Sequence, residues 1–156
     1  MAIEQKVRLV EELFLGLEKE ISVFKSETSL HCLTGCGKCC SKPEIDASPL
    51  EFLPWALHLF LNGQAEEVLL ELDNSSISTC HIYRPLALIE EYNGSCSNYR
   101  YRGLICRLFG YAANRDKYGE LRLATCKIIK EDQLENFNNT EEAISKGLYV
   151  TIFTDY

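Results

Sequence analysis

Four cysteines, Cys32, Cys36, Cys39 and Cys40, fall within nine positions of the stretch HCLTGCGKCC. Cysteines this dense point to metal capture or redox chemistry, because a lone buried cysteine acts as a small apolar filler and needs no neighbours. Cys36 and Cys39 are separated by two residues, a spacing that lets two sulfurs turn toward one ion. Gly35 and Gly37 flank Cys36 and supply the backbone freedom to fold around it. Neighbouring side chains diverge, so Cys39 and Cys40 are expected to serve two metals, or a metal and its packing shell.

The other four cysteines, Cys80, Cys96, Cys106 and Cys126, lie far apart in sequence, as ligands gathered by folding do. Eight thiols allow two closed four-cysteine zinc sites. They equally allow one 4Fe–4S cluster with four thiols left over. Cys126 is also a candidate for simple packing on a strand. Bound thiolates leave negative charge, and Lys38, Lys42, Arg100, Arg102 and Arg107 stand close enough in sequence to offset it. His31 and His81 each adjoin a cysteine and are alternative ligands or hydrogen-bond donors to sulfur, whereas His58 reads as a packed or surface side chain. Tyr92, Tyr99, Tyr101, Tyr111 and Tyr118 are expected to cover the centre and donate hydrogen bonds to it. No cysteine is marked as a nucleophile, so no catalytic residue is singled out.

The segments CLTGCGKCC, CHIY and CSNYRYRGLICRLF together resemble the YkgJ-type cysteine-cluster family, the zinc- or iron-chelating CxxCxxCC proteins. That family's later motif is matched at Cys96, Tyr99, Arg102, Cys106, Arg107 and Phe109, and PEIDASPLEF resembles its lead into a capped helix. The first gap here is three residues, 33–35, where the family has two, and Gly103 stands where it has proline. The resemblance spans residues 31–126 and implies a metal centre drawn from all eight cysteines. A flagellin lysine methylase carries a similar cluster with a 4Fe–4S centre. The expectation is therefore an iron–sulfur protein in a structural, redox or accessory role. The alternatives are a structural zinc protein acting as a binding module, and an iron–sulfur enzyme or subunit related to protein lysine methylation. No glycine-rich loop after a strand offers a nucleotide-type cofactor site.

The elements that must hold these thiols are legible in part. Ile3, Val7, Val10, Phe14, Leu17, Ile21 and Phe24 recur at alternating gaps of four and three, which predicts an amphipathic helix over 2–25. Such a seam packs on its own domain or pairs with a second copy or a partner protein. Ser48 and Glu51 form a capping box with Pro49 at the first helical position, while Pro54 kinks or delays the helix that follows. Asn62-Gly63 ends that helix, and another is expected over 64–73. Asn93-Gly94 and Tyr118-Gly119 read as turns, ELRLATC as a strand, 139–147 as a short helix and LYVTIFTDY as strand-like.

Length and charge bound the rest. A chain of 156 residues suits a single domain with a real core, here a small α+β domain with a helical N-terminal half, short C-terminal strands and much irregular structure around the centre. A net charge of −7 argues against nucleic acid and anionic membrane as partners. Acidic residues interrupt the apolar runs of the first twenty positions, so the expectation is a cytoplasmic protein with reduced thiols.

Overall fold

The computed structural model describes residues 2–42, 45–76, 79–86 and 93–148. Helix α1, Ile3–Thr28, is three residues longer at its C-terminal end than the periodicity predicts. Val7, Phe14, Leu17, Ile21, Phe24 and Thr28 are buried along one face. Ile3, at the start of the same seam, stays 47% exposed. The helix stops because Thr28 turns inward: its hydroxyl donates to Phe24 O at 2.7 Å and accepts from Leu30 N–H at 3.2 Å. Ser29 then adopts a left-handed φ of 58°.

The residues sort into two compact units, Met1–Leu13 with Thr34–Gly103, and Phe14–Leu33 with Leu104–Tyr156. The first unit holds the cysteine-rich loop, a 3-10 helix Pro49–Phe52, α2 (Leu53–Leu61) and α3 (Ala65–Asn74). It also holds an antiparallel ribbon of β1 (Tyr83–Pro85) and β2 (Gly94–Cys96), in register Tyr83↔Cys96, and a 3-10 turn Tyr99–Tyr101. The capping box forms as expected, with Ser48 N–H donating to Glu51 Oε1 at 2.7 Å and Leu50 N–H to Ser48 Oγ at 3.2 Å. Pro54 lands in the first turn of α2, where its missing N–H breaks no helical bond, so it delays the helix and does not kink it.

The second unit holds α4 (Leu104–Leu108), the antiparallel pair β3 (Ala113–Arg115) and β4 (Leu121–Leu123), α5 (Lys127–Asp132) and α6 (Leu134–Ser145). Its core joins Leu17, Ile21 and Phe24 of α1 to Leu30, Leu108, Leu123 and Ile144. The turn at Tyr118-Gly119 forms as expected: Asp116 Oδ1 accepts from Tyr118 N–H and Glu120 N–H, and Gly119 takes φ 85°. Arg107, almost fully buried, is paired with Glu18 and lies 4.1 Å over the Phe14 ring. The helix expected over 139–147 begins earlier, at Leu134, because Phe137 packs on the core and extends the buried face. Positions 149–156 of the strand-like terminus lie outside the described residues. The chain is a small α+β protein with a mostly helical N-terminal half.

Leu17 has no exposed surface, whereas Leu15 on the opposite face is 63% exposed. Leu17→Ala is expected to cost about 2–5 kcal/mol of unfolding free energy in a urea titration. Leu15→Ala should change it by no more than about 0.5 kcal/mol.

Candidate metal centre

All eight cysteines are among the described residues, and none forms a disulfide. Five of them, Cys36, Cys39, Cys40, Cys80 and Cys96, belong to the first unit, and Cys32, Cys106 and Cys126 to the second. The five share one platform. The loop carrying Cys36, Cys39 and Cys40 is joined to the β1–β2 ribbon by an antiparallel bridge between Cys36 and Asn93. Gly94 N–H donates to Gly35 O at 2.9 Å beside it. Cys96 ends β2, and Cys80 opens the turn into β1, its carbonyl accepting from Tyr83 N–H at 3.0 Å. Asn93-Gly94, read from sequence as a turn, is instead the strand to which the cysteine loop docks.

Tyr83 explains why that strand needs glycine. Its ring lies against both Gly37 of the loop and Gly94 of β2. A Cβ at Gly37 would sit 2.5 Å from Tyr83 Cε2, and one at Gly94 closer still. The two glycines are therefore the faces between which an aromatic ring is held. Tyr83 pairs directly with Cys96, so the same ring ties the loop thiols to the ribbon thiols. Tyr83 is the tyrosine of the CHIY segment, but it was not among the tyrosines expected to cover the centre. Its available signal was the phenol three residues after Cys80 combined with glycines beside two other cysteines.

The thiols differ in chemistry. A Cys40 side-chain hydrogen bond holds the Cys39 thiol down at about 6, helped by the N–H groups of Cys39 and Cys40 and opposed by partial desolvation. The adjacent pair thus faces one another and does not diverge. Cys96 is pushed up, chiefly by burial and secondarily by Cys80, while Asn98 N–H, Arg102 and Arg84 pull it down. Of the five cations expected to balance thiolate charge, Arg102 is seen acting on a thiol, and Arg84 joins it from β1. Arg107 is committed to Glu18, and Arg100 lies 3.6 Å from Glu11.

In the second unit, Cys32 and Cys106 are exposed. Cys32 N–H donates to the Tyr111 hydroxyl at 3.3 Å. Cys126 is not on a strand: it is the residue before α5 and packs against the core, because the chain turns into a helix immediately after β4. The histidines are engaged elsewhere. The backbone of His31 exchanges hydrogen bonds with the Gln133 amide. His58 stacks on Tyr101 at 5.1 Å, and His81 Nε2 lies 3.3 Å from Glu71 Oε2. Among the expected tyrosines, Tyr99 lies under Arg102 and Tyr118 is an exposed turn residue, while Tyr92 lies outside the described residues.

The donor set suits a thiophilic metal in number, with eight thiols in the chain. Among the described residues, no three cysteine, histidine, aspartate or glutamate side chains converge on a single point. Comparison with protein-family models, with curated proteins and with solved structures finds no match to this chain. No helix among the described residues is long and apolar enough to cross a membrane.

Gly37→Ala and Gly94→Ala should each destabilise the protein by about 1–3 kcal/mol, because the added methyl meets the Tyr83 ring. Gly16→Ala has open space around it and should stabilise by up to about 1 kcal/mol. In metal-free protein, alkylation of Cys39 by iodoacetamide, followed by mass spectrometry, should be half-maximal near pH 6 and slow below it as the thiolate protonates. Cys40→Ala removes the largest stabilising contact and should move that midpoint upward, toward the ordinary thiol value.

Proposed function

We propose that this chain is a metal-binding protein whose clustered cysteines hold an iron–sulfur centre of the 4Fe–4S type. The single observation that carries the reading is the platform: five thiols on one loop-and-ribbon unit, joined by the Cys36–Asn93 bridge. Four ligands complete either a 4Fe–4S cluster or a tetrahedral zinc site, so the first unit alone carries enough. Cys36, Cys39, Cys40, Cys80 and Cys96 are the source of the ligands in this reading. Cys32, Cys106 and Cys126 complete the eight-cysteine set that the YkgJ-type resemblance implies. Closing the centre requires the side chains to move together, in the way metal binding and folding are coupled in small thiolate sites.

Such a cluster, when bound, supplies a structural clamp and a one-electron redox centre. The chain's own residues have the supporting tasks. Tyr83, Gly37 and Gly94 hold loop to ribbon. Arg84 and Arg102 offset thiolate charge near Cys96, and the N–H groups of Cys39 and Cys40 donate toward sulfur.

Purification without oxygen tests the reading. The expected product is brown, with broad visible absorbance and acid-labile sulfide. A colourless protein with stoichiometric zinc would replace iron by the structural-zinc alternative, and a metal-free folded protein would overturn both. Cys36→Ser and Cys96→Ser should lose the metal and lower the thermal midpoint. Cys126→Ser, at a core-packed position, should keep the metal.

A further inference from the structure

A second feature of the first unit shares Arg84 with the surroundings of Cys96. α2, α3 and the β1–β2 ribbon enclose an open cleft of about 230 Å³. That is smaller than the roughly 300–1,000 Å³ typical of pockets for drug-sized ligands, so its occupant is small. Its apolar surface comes from Leu59, Val68 and Ile82, with the Trp55 indole beside them. Its charged groups are divided by element. α3 presents Glu67 and Glu71 one helical turn apart, and the ribbon presents Arg84.

The states of these groups differ. Glu71 is engaged with His81, which also lies 6.1 Å from the Trp55 ring. The Glu67 carboxylate makes no hydrogen bond or ion pair among the described residues. Arg84 is anchored through Nη1, which donates to His81 O at 2.7 Å and Tyr83 O at 3.1 Å, so its charge is held at the cleft. The Trp55 indole Nε1 is buried without an acceptor among the described residues.

We propose that this cleft binds a small zwitterion, an apolar α-amino acid or its close analogue. The ligand's ammonium faces Glu67 and Glu71, its carboxylate faces Arg84, and its side chain lies on Leu59, Val68 and Ile82. One ligand then answers both signs of charge and the apolar floor at once. A cation alone would leave Arg84 unanswered, and an anion alone would meet two carboxylates.

The test uses the full chain as purified and three probes that differ by one charge: L-leucine, isopentylamine without the carboxylate, and 4-methylpentanoate without the ammonium. Titrations are followed by calorimetry and by Trp55, the chain's one tryptophan, through its fluorescence. L-leucine is expected to bind at least about tenfold more tightly than either single-charge analogue. Glu67→Gln, which breaks no contact of the fold, should weaken L-leucine by about tenfold and leave 4-methylpentanoate no weaker. Equal binding of the three probes, no L-leucine binding at millimolar concentration by folded protein, or an unchanged affinity in Glu67→Gln would each overturn the proposal.

Discussion

The packing of one aromatic ring against two glycines organises the first unit. Tyr83 lies where side chains at positions 37 and 94 would have to be, and glycine at both lets the cysteine loop and β2 close on its ring. Three cysteines of the loop and two of the ribbon come onto one platform through that contact and the Cys36–Asn93 bridge. Without the ring the loop would be held by few backbone bonds, which are weak net contributors in water. With it, the loop's position is set by shape, and shape is unforgiving at close-packed contacts.

The second unit is organised differently, by ordinary burial. One face of α1 gives Leu17, Ile21 and Phe24 to a core completed by α4, β4, α5 and α6. Arg107 sits within this burial because its charge is answered by Glu18 and its planar head rests on Phe14. A buried cation survives only with such partners, and removing one costs more than the pair itself contributes. Its neighbour Cys106 remains exposed, so adjacent residues of one motif do unrelated work: one is fold, the other is a thiol at the surface.

The first three α-helices were legible because their signals are local, whereas the short α4 and α5 carry no such signal and were not anticipated. A four-three repeat of apolar residues, a capping box and a proline in the first turn act within a few positions, and each appears where the sequence placed it, to within a few residues. The density of cysteine was equally plain. Less legible was how the cysteines divide. Spacing suggested a loop set and a dispersed set, whereas folding puts two dispersed cysteines, Cys80 and Cys96, with the loop and leaves Cys32 in the other unit. The adjacent pair Cys39 and Cys40 was expected to diverge, but the turn through 38–41 brings the two sulfurs into hydrogen-bond contact.

The sequence by itself determined an α+β chain with a long amphipathic first helix, an acidic surface and an unusual supply of thiols. It could do so because composition and short-range periodicity are properties of neighbours along the chain. Tertiary structure alone decided that Asn93-Gly94 is a docking strand and not a turn, and that Arg84 stands beside a thiol while Arg107 pairs with Glu18. It also decided that Tyr83 binds loop to ribbon. Each of these depends on two segments far apart in sequence meeting at van der Waals or hydrogen-bond distance. A glycine that makes a turn and one that makes room for a ring look the same until the ring is in place.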